Sequence, residues 1–279
     1  MDVNACLHID GFVETTRDVL FLREEDSLLI IRPNKIQHVN RTAFEMLDSL
    51  YMKKVSAENT VKTMSAKYGL KEDTLLRDLS ETLGTVNAIM REDYASAGRM
   101  RTVPYNPESI ALPVLSEIAL TYRCQNRCDF CYASSPYRGR EMREMNTAEV
   151  KTVIDRIFDE ARVPAISFTG GEPTLRDDLP ELIAYAAKKG MRTNLITNGL
   201  RCADRDFTAA LADAGLKSAQ VSLESHDREI HNAVTGNPAA YDRVVPGIHN
   251  LASRKIHTHT NTTICSRNRE HLIPLARFI

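Results

Sequence analysis

The chain has 279 residues, 43% hydrophobic and 26% charged, with a formal net charge of −1. That is the makeup of a globular protein of one large or two ordinary domains. It excludes the basic field of a nucleic-acid binder, and no apolar run approaches the roughly 18 residues a membrane span needs, so neither a nucleic acid nor a membrane is expected as a partner. The first residues, Met-Asp-Val-Asn-Ala-Cys, have neither the basic nor the apolar stretch of a secretion signal. Three of the six cysteines cluster, while Cys6, Cys202 and Cys265 are scattered as structural thiols; this is no disulfide framework, and a reducing cytoplasm is expected.

Residues 1–92 read as one small domain. Short apolar runs at 19–22 and 28–32 flank the turn Glu24-Glu-Asp-Ser27; Pro33-Asn34 is a second turn and 36–39 a third strand. Asn40 is a suitable N-cap for a helix with Phe44, Leu47 and Tyr51 on one face. Ser56 caps a second helix with Val61, Met64 and Tyr68 facing inward and Gly69 as its stop. A third helix carries Leu75, Leu76, Leu79 and Leu83. A strand meander with three short amphipathic helices suggests a winged-helix-like α+β module. Residues 93–112, weakly periodic and carrying Pro104 and Pro107, read as a linker.

From residue 113 onward strands and helices alternate. Strands are expected at 118–122, 165–169, 192–197, 219–223 and 257–264. Helices are expected at 147–161, with Asn146 and Glu149 as a capping box, then at 179–189, 204–214, 241–253, where Pro246 kinks or starts the helix, and 269–279. Alternation of this kind implies an α/β fold with a parallel sheet, curled towards a barrel or left open.

The chemistry concentrates at the strand ends. The first strand runs into Cys124-Gln-Asn-Arg-Cys128-Asp-Phe-Cys131, three thiols close enough in sequence to grip one metal centre with no local fourth ligand. A structural zinc site would need that fourth ligand, and no histidine follows nearby. The second strand ends in Gly170-Gly171-Glu172-Pro173, where paired glycines admit close backbone approach and Glu172 offers an acceptor for an ammonium group. The third ends at Asn198-Gly199. The fourth gives Ser222 and Glu224, placed by alternation on one side. In α/β folds ligands lie at these carboxyl ends. His257 and His259 share a strand face, most simply a polar one. Glu141 and Glu144 sit in a charged run that reads as a solvated loop.

Cys124, Cys128 and Cys131, with Phe130 before the third cysteine and Gly-Gly-Glu-Pro one strand later, resemble the radical S-adenosylmethionine (SAM) enzymes. The resemblance covers about residue 113 to the end and implies a partial (β/α)6 barrel over 113–279. It implies that the three cysteines bind a 4Fe-4S cluster whose fourth iron takes the amine and carboxylate of S-adenosylmethionine. It further implies that Gly170, Gly171 and Glu172 hold the SAM ammonium, that Ser222 and Glu224 contact ribose or carboxylate, that Asn198 lines the mouth, and that Phe130 packs near adenine. Asn261 and Thr263 are weaker candidates. The stretch around His38-Val-Asn40-Arg-Thr-Ala-Phe44-Glu-Met-Leu47 is similar to PqqD-like peptide-recognition domains, which add a peptide strand to a sheet edge. The combination resembles PqqE-like and peptide-modifying maturases, and implies a precursor peptide or peptide-like substrate and an electron donor such as a flavodoxin or ferredoxin.

Barrels of this family need a sixth βα unit and often carry a cysteine-rich C-terminal region. Here Ile279 follows the fifth strand and one helix, so a shortened barrel, or one completed by a partner, is expected. Two alternatives stay open: a peptide-binding protein with an inactive barrel, and an enzyme of haem or cofactor maturation.

Overall fold

A computed structural model describes residues 2–279 apart from 33, 34, 99, 100, 102, 103, 105, 107, 109 and 134–142. The turn expected at Pro33-Asn34, together with Pro107 and Glu141, lies outside the described residues. The chain forms two compact units, Met1–Val114 and Leu115–Ile279. Among the described residues no helix is long and apolar enough to cross a membrane.

The first unit opens with a helix that the sequence pattern did not disclose, α1 (Val3–Thr16), capped by the Asp2 carboxylate, which accepts from the Asn4 and Ala5 amides. Its buried face is Cys6, Ile9, Val13 and Thr16, a helical spacing interrupted in sequence by polar residues and Gly11. Three strands follow, β1 (Leu20–Arg23), β2 (Leu28–Ile31) and β3 (Lys35–His38), in an antiparallel sheet of that order. The first turn is a 3-10 turn closed by Ser27 in the left-handed conformation, φ 52°. The helices are α2 (Arg41–Tyr51), α3 (Ala57–Tyr68) and α4 (Glu72–Met90). Asn40 and Ser56 cap α2 and α3 as expected, and Gly69 ends α3 at φ 66°. At 19 residues α4 is no short helix. Tyr68 corrects its expected inward orientation: as the last residue of α3 it is exposed, its hydroxyl donating to the Glu45 carboxylate at 2.9 Å.

Both faces of this sheet are covered. Leu20, Leu22, Leu29 and Ile31 join the helical core, while Phe21, Leu28 and Ile30 pack with Ile36, Ile110 and Val114. Arg23 is 0% exposed. Its guanidinium holds Asp26 at 2.9 and 2.8 Å and donates to the carbonyls of Leu112 and Pro113, while Asp26 also accepts from the Ala111 amide at 3.1 Å. Residues 111 and 112, read from sequence as the linker end, and Pro113, read as the start of the second domain, are thus pinned to the hairpin.

The second unit is an α/β layer. Its strands β4 (Ser116–Thr121), β5 (Ala165–Gly170), β6 (Arg192–Thr197), β7 (Ser218–Ser222) and β8 (His257–Asn261) form one parallel sheet in sequential order. Between them run α5 (Thr147–Asp155), α6 (Leu179–Lys188), α7 (Arg205–Asp213), α8 (Arg228–Thr235) and α9 (Tyr241–Ser253); α10 (Leu272–Phe278) follows β8. The Asn146–Glu149 capping box opens α5, which widens into a π turn over Arg156–Glu160. Pro246 lies inside α9. The eight-residue α8 is the second helix missed from sequence. β8 is shorter than the expected 257–264, because beyond Asn261 local groups turn to other partners: the Thr262 hydroxyl donates to the Leu223 carbonyl and the Thr263 amide to Glu224.

One sheet face is apolar and covered by helices: Ile118, Leu120, Ile166, Phe168, Leu195, Ala219 and Val221 join the core with Val150, Ile154, Leu182, Ile183 and Leu211. Each of these side chains larger than alanine contributes roughly 1.5–3 kcal/mol by leaving water. The other face is polar, which is unusual for a parallel sheet. Asn194 donates to the Ser167 hydroxyl at 3.1 Å and accepts from Ser218 at 2.8 Å, and Gln220 lies 3.4 Å from His259.

Candidate functional site

The carboxyl ends of β4 to β7 carry the candidate residues, and their backbones are knitted together. The Gly171 amide donates to the Thr121 carbonyl at 2.7 Å and the Glu172 amide to the Arg123 carbonyl at 2.8 Å. Gly170 has φ +142°, and a Cβ there would stand 2.1 Å from the Thr121 oxygen. Only glycine fits this crossing, which delivers the chain into the cysteine loop.

Glu172 is fully buried. One carboxylate oxygen accepts from the Thr174 amide (3.0 Å), the Thr174 hydroxyl (2.5 Å) and the Thr197 hydroxyl (2.7 Å), and the other from the Asn198 amide (2.7 Å). Burial raises its pKa, against these hydrogen bonds. The side chain is therefore turned inward, tying the end of β5 to that of β6. Asn198 continues the chain of contacts: its side-chain nitrogen lies 3.8 Å from the Cys124 sulfur, and its side-chain oxygen accepts from the Gln125 side-chain Nε2 at 3.5 Å.

Cys124, Cys128 and Cys131 are free, half-buried thiols. The Cys131 amide donates to the Cys128 carbonyl at 3.1 Å, and the Cys128 sulfur lies 3.7 Å from the Thr235 carbonyl. Burial raises the Cys124 pKa, and burial followed by the charge of Cys124 pushes Cys128 up to about 12. The charges of neighbouring cysteines thus oppose ionisation of Cys124 and Cys128, yet among the described residues no set of three His, Cys, Asp or Glu side chains stands in metal-holding geometry. Thiols do not attract one another; the bonds that draw such a set together come from the metal, which binds them deprotonated. As a donor set, three accessible sulfurs on one short loop fit an iron–sulfur cluster. Phe130 is half-buried within the loop.

Ser222 ends β7 half-buried, and Glu224 lies two residues on, 2% exposed. The Glu224 carboxylate accepts from the Thr263 amide at 2.8 Å, while the exposed Asn261 meets this strand through its carbonyl, which accepts from the Leu223 amide at 3.0 Å. Burial raises the Glu224 pKa to about 7. A carboxyl that holds its proton more tightly folded than unfolded favours folding below its unfolded value near 4.5, and that contribution is lost as pH rises towards 7. Glu224→Gln is accordingly expected to remove a slope of up to about 3 kcal/mol, at roughly 1.4 kcal/mol per pKa unit, from the urea-unfolding free energy of the metal-free protein between pH 4.5 and 7. An unchanged pH profile would contradict the assignment.

Other groups fall outside the site or join it unforeseen. His257 and His259 are exposed, with ring centroids 6.0 Å apart, a polar strand face as expected. Glu144, expected in a solvated loop, is instead half-buried and bonds the Thr121 hydroxyl and the Arg123 guanidinium (2.7 and 3.2 Å), fastening the end of β4. His231 and Asn268 were not foreseen. The His231 ring accepts from the Glu224 amide at 3.1 Å, and Asn268 donates to the Glu224 carbonyl at 3.0 Å. The Asp227…Gly236 cap-and-stop pair was the sequence signal for the helix carrying His231; nothing local signals Asn268.

The profile of the radical SAM superfamily matches residues 118–279, and the chain belongs to that superfamily. A 4Fe-4S cluster and SAM are the cofactors characteristic of it. The chain is 39% identical over 149 residues to an Fe-coproporphyrin III synthase of Methanosarcina barkeri, covering 53% of this chain and 36% of the relative. It is 34% identical over 152 residues to an AdoMet-dependent heme synthase of Oleidesulfovibrio alaskensis, covering 53% and 38%. The fold is similar to that of Streptococcus suis SuiB bound to the precursor peptide SuiA, with a TM-score of 0.61 and 16% identity over 94% of this chain and 59% of that one. The chain thus spans less than half the length of these curated relatives.

Proposed function

We propose that this protein uses a 4Fe-4S cluster to cleave SAM reductively and abstract hydrogen from a peptide or peptide-derived substrate, in the maturation of a peptide product or cofactor. Cys124, Cys128 and Cys131 would hold three irons. The backbone of the Gly170-Gly171-Glu172 turn would meet the SAM ammonium, with the Glu172 side chain stiffening that turn. Ser222 and Glu224 would contact ribose or carboxylate, Asn198 would line the mouth, Phe130 would pack near adenine, and Asn261 and Thr263 would border the adenine side. When bound, the reduced cluster supplies the electron that splits SAM into methionine and a 5′-deoxyadenosyl radical. The electron would come from a flavodoxin- or ferredoxin-like donor in a reducing cytoplasm.

One observation carries the reading: Asn198 touches both Glu172 and the cysteine loop, so the glycine-rich turn and the thiols border one mouth. The first unit would be a PqqD-like recognition domain. Its support is the meander β1-β2-β3, with β3 as an outer strand among the described residues, the kind of edge a peptide strand can extend. The porphyrin- and heme-named relatives favour a second reading, a tetrapyrrole substrate.

Anaerobic reconstitution with iron and sulfide tests the proposal. The wild type is expected to take up four irons, as the cluster formula requires, and to release 5′-deoxyadenosine on reduction. Cys128→Ala is expected to lose both. A wild type that forms no cluster, or whose cluster leaves SAM intact, would overturn it. Stimulation of SAM cleavage by an iron porphyrin and not by peptides would favour the second reading.

A further inference from the structure

The eight-residue helix α8 touches the candidate site twice, from its middle and from its C-terminal end. At its fourth residue His231, 1% exposed, accepts the Glu224 amide on Nδ1 at 3.1 Å. Burial depresses the His231 pKa to about 4, so the ring is neutral and Nδ1 is free to accept. Its ring packs edge-on against Tyr241, centroids 5.9 Å apart, and the Tyr241 hydroxyl donates to the His226 carbonyl at 2.7 Å, two residues beyond Glu224. One turn further on, at the last helical residue, the Thr235 carbonyl accepts the Arg127 amide at 2.9 Å and lies 3.7 Å from the Cys128 sulfur. Gly236 closes the helix at φ +61°, where a Cβ would stand 2.6 Å from the Arg127 carbonyl oxygen. Asn237 then donates to the Asn126 side chain at 2.8 Å.

From His231 to Thr235 is one helical turn, about 6 Å along the axis, and it resists compression because each turn is hydrogen-bonded to the next; the Thr235 hydroxyl also donates to the His231 carbonyl at 2.9 Å. Asp227 caps the start of the helix, accepting from the Ile230 amide at 3.0 Å, and the Gly236 amide seals its end on the Asn232 carbonyl. His231 and Thr235 are therefore held as one rigid piece.

We propose that the last turn of α8 is a brace that fixes the spacing between the cysteine loop and Glu224, with His231 as the positioning residue at the start of that turn and the Thr235–Gly236 turn as the seat at its end. The functional consequence rests on the reading of Cys128 and Glu224 as cofactor contacts; the mechanical coupling does not. Disturbing either end shifts the other: cluster uptake depends on a histidine that contacts no cysteine, and SAM affinity on a glycine remote from Glu224.

The test is amide hydrogen exchange on the metal-free full chain, followed by iron content and SAM binding after reconstitution. His231→Leu removes the acceptor and is expected to speed exchange at the Glu224 amide and also at the Arg127 amide, by on the order of tenfold or more, the scale of one lost buried hydrogen bond. His231→Asn keeps an acceptor and is expected to restore both to within about threefold. Gly236→Ala is expected to speed exchange at Glu224 from the opposite end, and it decides the matter alone should His231→Leu fail to fold. On reconstituted protein both damaging variants weaken SAM binding and lower bound iron. An effect of His231→Leu confined to Glu224, no rescue by His231→Asn, or Gly236→Ala without effect at Glu224 would each overturn the brace. A wild type that holds neither iron nor SAM, yet shows this exchange pattern, would sink the cofactor reading and leave the brace standing.

Discussion

Gly170→Ala is expected to destabilise the second unit by on the order of 4 kcal/mol and to prevent cluster uptake. Two costs combine. An alanine at φ +142° is strained, at roughly 1–3 kcal/mol, and its methyl would lie 2.1 Å from the Thr121 carbonyl oxygen. That oxygen belongs to backbone and is already engaged by the Gly171 amide, so it cannot yield without separating β4 from β5; overpacking of this kind costs typically 1–3 kcal/mol more. Gly190→Ala is the internal control. Its φ is +91°, and a Cβ there meets nothing within 4 Å, so it pays strain alone. Urea unfolding followed by far-UV circular dichroism measures the difference between the two variants. Equal losses would show that the close crossing of strands is not what demands glycine.

Arg23→Met is expected to cost the first unit roughly 3–5 kcal/mol, the range for breaking a buried pair from one side. The substitution leaves the Asp26 carboxylate buried without its two guanidinium contacts and strips donors from the Leu112 and Pro113 carbonyls. Removing the second charge as well, in R23M/D26L, should recover much of the loss, since a well-packed apolar pair can match a buried ionic one. The four proteins form a double-mutant cycle, read by thermal unfolding at fixed pH. A loss below about 1 kcal/mol for Arg23→Met alone would mean that the ion pair is not the fastening of residues 111–113.

Much of this architecture was legible from local chemistry. Asn40, Ser56 and the Asn146–Glu149 pair marked helix starts because capping is settled within four residues. Four of the five parallel strands, β4 to β7, were visible because their helix-facing residues include apolar ones. The missed helices failed for different reasons: the periodicity of α1 is diluted by polar residues, whereas α8 is amphipathic and capped but only eight residues long, too short to stand out without what it packs against. β8 was overextended because its last residues turn to Leu223 and Glu224, some 39 positions away in sequence. At the candidate site the identity of the residues was readable, but the direction of their side chains was not. Glu172 looked like an open acceptor; its carboxylate is instead saturated by Thr174, Thr197 and Asn198. Arg23 announced nothing at all, since its partners at 112 and 113 lie in a stretch without periodicity.

The inward-facing carboxylate of Glu172 has an implication for how such a protein can diverge. It gathers the tips of two strands, and the amide beside it fastens a third through the Arg123 carbonyl. Inherited variation at any one tip is therefore read by its two neighbours. New specificities should arise more readily from the polar sheet face and the peripheral loops, which can drift one residue at a time, than from this shared knot, where drift must come in matched sets.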